Sequence, residues 1–204
     1  MQLQTQKYNP QFKALHIANC GDLKLYKITD RADFKFLKSL PDRIHTKDLM
    51  PNLTKDEYSR WDEMLQYAVD NSQKPKNITY VETLNDTPCG IITFTPDKNI
   101  FKLDCICTWP VEIGKKVKLA GQTLFYQLFK DFQESHGKKL KLEAITNGPY
   151  DTISKYETLS FIPTKTHLTK VEMETTAAKL KPIINSLNKL LNYKEVTVEK
   201  VTLH

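Results

Sequence analysis

Glycine is scarce in this chain of 204 residues: six in all, too few for a collagen repeat or a string of flexible linkers. Long apolar runs are also missing. None exceeds five residues even with Gly and Pro counted, far short of the roughly 20 that a membrane-spanning helix needs, so no membrane partner is expected. The first ten residues, MQLQTQKYNP, hold no apolar stretch of the kind a secretory leader carries, and a cytoplasmic protein is expected. The five histidines are scattered without metal-ligand spacing. Cys20, Cys89, Cys105 and Cys107 form no ligand pairs either, so no metal is expected. Cys105 and Cys107 stand two apart in a strand-like run, where neighbours seldom meet disulfide geometry. Without a leader, reduced and buried thiols are expected.

What is present is ordinary for a globular protein: 40% hydrophobic and 26% charged residues, enough to bury a core. The net charge is +6. A positive field favours nucleotides, phosphorylated cofactors or nucleic acid, and it equally serves the solubility of a lysine-rich surface. There is no RNA-binding motif, so nucleic acid is not the favoured partner.

Residues 1 to 20 read as polar and irregular. Leu23 to Ile28 alternates like a strand. Thr29 or Asp30 caps a helix carrying Phe34, Leu37 and Leu40, which Pro41 ends. Thr54-Lys55-Asp56-Glu57 is a capping box, and its helix carries Tyr58, Trp61, Met64, Leu65 and Ala68. Ile78 to Leu84, Cys89 to Phe94 and Phe101 to Trp109, separated by turn residues, predict an antiparallel meander. In the last of these, Phe101, Leu103, Cys105, Cys107 and Trp109 fall on one face. A helix with the stripe Leu124, Phe125, Leu128, Phe129 and Phe132 follows, and Gly137 suits its end. Lys139 to Thr146 reads as a strand, Asp151 to Thr158 as a short helix and Thr166 to Glu174 as a strand. A helix bearing Leu180, Ile183, Ile184, Leu187, Leu190 and Leu191, then a strand over 194–203, close the chain. The order gives an α/β protein with a mixed, largely antiparallel twisted sheet flanked by helices.

Residues 101–161 carry the chemistry. A helix N-terminus offers free N–H groups and the positive end of its dipole, and a diphosphate can dock there without any side chain. Ala120 and Gly121 at this helix start are small, so a ligand can approach the backbone. Lys115, Lys116 and Lys118 add positive charge. The same residues also suit an ordinary solvated helix start.

The order of these features resembles the GNAT superfamily of acyl-CoA-dependent N-acetyltransferases. The family's phosphate loop reads Arg/Gln-x-x-Gly-x-Gly/Ala; here Lys116-Val117-Lys118-Leu119-Ala120-Gly121 stands in that place, with Leu124 after it. Thr108-Trp109-Pro110 matches the apolar-x-Pro that ends the preceding strand. Asn147 matches an asparagine at the end of the next strand, and Tyr156-Glu157-Thr158-Leu159-Ser160-Phe161 matches Tyr-x-x-Leu-Gly-Phe. The chain departs from the pattern at Lys116, at Leu119 in place of the first glycine, and at Ser160 in place of the glycine before Phe161. The connection from Pro110 to the loop and the spacing from Asn147 to Tyr156 are also longer.

The resemblance implies a GNAT-like fold over 21–174, after the irregular segment 1–20, with a helix–strand extension over 175–204. It implies acetyl-CoA as co-substrate and a primary amine as acceptor, which attacks the acetyl carbon directly. The N–H groups of Lys116, Val117, Lys118, Leu119, Ala120, Gly121 and Gln122 would hold the diphosphate. The main chain around Cys107 and Thr108 would pair with the pantetheine arm at a splay between strands and polarise the thioester carbonyl. Asn147 would hydrogen-bond the pantetheine, and Tyr156 would protonate the leaving thiolate.

Asp104 is the first choice of general base, with Glu82 and Glu112 as rivals. Tyr156 can instead be a ring that only packs, and Asn147 a turn residue before Gly148-Pro149. Two other functions fit the same features: a GNAT-like module that binds without turnover, and an acetyltransferase of tRNA-linked amines. The last helix can cover the sheet of its own domain or mediate a homodimer.

Overall fold

The computed structural model describes residues 12–44, 46–146 and 151–203. Its elements, in chain order, are β1 (Phe12–Cys20), β2 (Leu23–Lys27), α1 (Arg31–Arg43), α2 (Thr46–Leu49) and α3 (Lys55–Ser72). The meander follows as β3 (Ile78–Leu84), β4 (Thr87–Asp97) and β5 (Ile100–Thr108). Then come α4 (Ala120–Glu134), β6 (Lys139–Ile145), α5 (Thr152–Thr158), β7 (Ile162–Thr166), β8 (Lys170–Thr176), α6 (Ala177–Leu191) and β9 (Tyr193–Leu203). The strands form one nine-stranded sheet in the order β7-β8-β6-β5-β4-β3-β2-β1-β9. Neighbours run antiparallel except β5 and β6, which are parallel. The mixed, largely antiparallel sheet is thus the one the element order predicts.

Several elements differ from the sequence reading, the short helix α2 among them. The stretch expected to be irregular contains strand β1, whose alternation is interrupted by a register shift between His16 and Ala18. Strand β7 is exposed at all five positions, so no apolar periodicity marks it. Helix α1 runs past Pro41 to Arg43; the lost N–H bond and the ring's crowding of the preceding turn fall at the helix end, where little helix remains to disrupt.

Apolar side chains divide between the two faces of the sheet. Helices α1 and α3 cover one face, and α4, backed by α6, covers the other. Helix α3 starts at the expected capping box: Thr54 Oγ1 accepts from the Glu57 N–H, and Glu57 Oε2 accepts from the Thr54 N–H at 2.8 Å. Helix α4 is fixed to the sheet by buried phenylalanines and by a polar chain. The Tyr80 hydroxyl donates to Asp131 Oδ2 at 2.6 Å, Gln127 Nε2 donates to Asp131 Oδ1 at 2.6 Å, and the Tyr193 hydroxyl donates to Gln127 Oε1 at 2.5 Å.

Strand β5 changes faces midway. Thr93 pairs with Cys105 and Phe94 with Leu103, which leaves Asp104 without a partner. An extra residue of this kind is a bulge, and it shifts the alternation by one. Phe101 and Leu103 therefore join the cluster under α4, whereas Cys105, Cys107 and Trp109 join the cluster under α1 and α3. The single face expected for all five is corrected by that one residue.

Candidate active site

The parallel pairing of β5 with β6 covers three residue pairs: Ile100–Lys139, Phe101–Leu140 and Lys102–Lys141. Beyond Lys102 the two strands diverge, and the rest of β5 keeps a ladder partner only in β4. The Trp109 N–H donates to the Cys89 carbonyl at 2.9 Å, which makes those two a hydrogen-bonded pair. Antiparallel pairs alternate in type, so the Thr108–Gly90 pair is of the other kind. The main-chain groups of Thr108, and of Ile106 two residues earlier, therefore point away from β4 into the opening. Those of Cys107 point to β4. Ile106 is the residue that the sequence reading passed over: which parity faces the opening is fixed by β4, not by any local pattern.

Helix α4 starts at the wide end of this opening. Its N-cap, Leu119, lies in the left-handed region at φ 66° and supplies no side-chain cap. The first N–H groups of α4 are thus left without a side-chain acceptor. A Cβ added at Gly121 would meet nothing within 4 Å, so space lies open in front of the first turn. Lys116 and Lys118 are exposed beside it. Lys115 is held by Glu112 at 2.5 Å. The loop is anchored to α2 by the Gly114 N–H, which donates to the Leu49 carbonyl at 2.8 Å.

Tyr156 projects from α5, which Asp151 caps by accepting from the Ser154 N–H at 3.1 Å. Its ring meets Phe125 at 5.9 Å and Phe161 at 6.1 Å between centroids, both edge-on. Its hydroxyl has no hydrogen-bond partner among the described residues, and the ring keeps some exposure. Burial, with a smaller effect of the Cys105 thiol on β5, pushes the phenol up to about 12. The phenol therefore stays protonated at neutral pH. Burial also pushes the Cys105 thiol up to about 12 and raises the still more buried Cys107 thiol, so both stay protonated at neutral pH.

Asp104 sits at the bulge where the opening begins. Its Oδ2 accepts from Asn77 Nδ2 at 3.1 Å and from the Thr95 hydroxyl at 2.7 Å. Glu82 is fully buried beneath α4. Asn147 lies outside the described residues. A cavity of about 260 Å³ on the α1 side is walled by Phe36, Leu40, Ile44, Trp109 and Val111, with Asp86 at its rim.

A sheet splayed between two parallel strands, with an uncapped helix start at the wide end, defines the fold of the GNAT N-acetyltransferases, and this chain has that fold. Among solved structures it is similar to the PaiA N-acetyltransferase of Thermoplasma acidophilum in complex with coenzyme A (TM-score 0.53, 16% identity, 76% of this chain and 98% of that one). It is also similar to apo FdhC, a nucleotide-linked sugar GNAT (TM-score 0.55, 13% identity, 90% and 99%). A third is the ribosomal-protein-S18-alanine N-acetyltransferase of Escherichia coli (TM-score 0.50, 13% identity, 76% and 94%). No protein-family model matches the sequence, and no curated protein matches it. At these identities the likeness is one of fold.

Proposed function

We propose that the protein is an acyl-CoA-dependent N-acetyltransferase that passes an acetyl group from acetyl-CoA to a primary amine. The observation that carries this reading is the splay itself. A strand edge with unladdered main-chain groups, an uncapped helix start and a half-buried phenol border one opening.

Each part has one task. The N–H groups over Leu119 to Gln122 hold the diphosphate, with Lys116 and Lys118 adding charge. The main-chain groups of Ile106 and Thr108 extend the ladder to the pantetheine arm and polarise the thioester carbonyl. Asn147 is assigned a hydrogen bond to the same arm. Bound acetyl-CoA supplies the activated acyl thioester. Tyr156 Oη gives its proton to the departing sulfur. Asp104 takes the amine proton through water at Oδ1, the oxygen that Asn77 and Thr95 leave free. The apolar cavity against Trp109 supports approach of the acceptor from the α1 side.

Leu119 and Ser160, the two departures at glycine positions, give no support to a module that binds without turnover. Both residues hold positive φ, 66° and 64°, as glycine would. Titration calorimetry of coenzyme-free protein with acetyl-CoA tests the site, and thiol release with a panel of amines tests the activity. Saturable binding and a fall of roughly 100-fold in kcat for Tyr156→Phe are expected. No binding at millimolar acetyl-CoA would sink the reading.

A further inference from the structure

Beneath the first turn of α4 lies a carboxyl group that the mechanism above does not use. Glu82, within β3, is 0% exposed, and neither of its oxygens has a hydrogen-bond partner among the described residues. Thr123, in the first turns of α4, is just as buried, and its hydroxyl is equally unpartnered. Gly90 of β4 packs between Glu82 and the opening. A Cβ at Gly90 would stand 3.3 Å from Glu82 Oε2, 3.3 Å from Thr108 Cγ2 and 3.0 Å from Leu124 Cδ1. Side chains from β3, from the last residue of β5 and from the start of α4 thus converge over Gly90 of β4.

Among the described residues, the groups that face Glu82 carry no positive charge. The nearby titratable side chains are the thiols of Cys20 on β1 and Cys89 on β4, and burial pushes both up, so they stay neutral. Burial holds the carboxyl protonated well above the usual range, and the nearby Thr123 hydroxyl offsets this only in part. Isolated buried carboxylates are costly. A field of the right sign comes from the positive end of α4, and a bound anion would use that field from the other side.

We propose that Glu82 is a positioning residue whose charge state sets the anion affinity of the α4 N-terminus. Neutral, it leaves the first-turn N–H groups to a diphosphate. Ionised, it draws on the same dipole from below and repels the ligand. The inference rests on reading the start of α4 as the coenzyme A site and adds its regulation by proton uptake.

The test is calorimetry with acetyl-CoA, from neutral to mildly alkaline pH, on the wild type and on Glu82→Gln. The wild type is expected to weaken by about tenfold or more relative to Glu82→Gln as the pH rises. Trends common to both proteins belong to the loop lysines and to the ligand's own phosphates. A second measurement needs no variant: in alkaline buffers of differing ionisation heat, the wild type is expected to take up a proton on binding. Parallel pH profiles, or binding without proton uptake, would overturn the proposal while leaving the site intact. Absence of binding at every pH would instead overturn the coenzyme site itself, and this proposal with it.

Discussion

A left-handed backbone costs a residue with a Cβ about 1–2 kcal/mol. Leu119 and Ser160 both bear that cost, at the two places where the acetyltransferase pattern has glycine. Ser160→Gly removes the strain but loosens the unfolded chain by about 0.4–1 kcal/mol. A net gain of about 0.5–1 kcal/mol is expected in urea unfolding, and a loss would show that the serine side chain has a role of its own. Leu119 packs against the core, so relief of strain at Leu119→Gly is offset by lost burial. Glu82 gives a prediction with a pH sign. Its folded-state affinity for a proton exceeds that of the unfolded chain, so its contribution to stability is full at acid pH. It is lost as pH rises above the ordinary glutamate range, by up to about 1.4 kcal/mol per unit, until the folded carboxyl ionises. The stabilisation of Glu82→Gln over the wild type should therefore grow between mildly acid and neutral pH, as thermal unfolding will report.

At the scale of the element, the start of α4 and the bulge of β5 decide the site. Gly121→Asp puts a carboxylate into open space at the second helical position. There it suits the helix dipole, for a gain of about 0.3–1 kcal/mol. In the same place it opposes a diphosphate. An unchanged or higher melting temperature with at least a 100-fold loss of acetyl-CoA affinity is expected, from calorimetry on the same sample. Helix α4 was legible in the sequence because Leu124, Leu128 and Phe132 repeat at helical spacing around small residues at its start. The face change in β5 was not legible. Cys105 continues the alternation of Phe101 and Leu103 by number, and only the partner strand shows that Asp104 is extra. The same limit hid Ile106, since the direction of a main-chain carbonyl leaves no trace in residue type.

At the scale of the molecule, the extension is part of the fold rather than an appendage. Helix α6 packs against α4 with Leu180, Leu187 and Leu191 buried. The Tyr126 hydroxyl donates to Asn188 Oδ1 at 2.9 Å, and Lys130 pairs with Glu195. Leu180→Ala should cost about 2–5 kcal/mol in urea unfolding. A value near zero would mean that the helix contributes little to α4. The meander and its helices were legible because their contacts lie close in sequence. The places of β1 and β9 were not, because each is completed by a partner at the far end of the chain.

Phe12 lies opposite Leu203, and Cys20 opposite Tyr193. While the chain is being synthesised, the first of these strands must wait for the last. Until then its border is open to any nascent neighbour. Once zipped, the outermost strand is one whose sequence, YKEVTVEKVTL, carries four charges, where FKALHIANC carries a single lysine. At this edge of the sheet, the late segment thus replaces an adhesive margin with a repellent one.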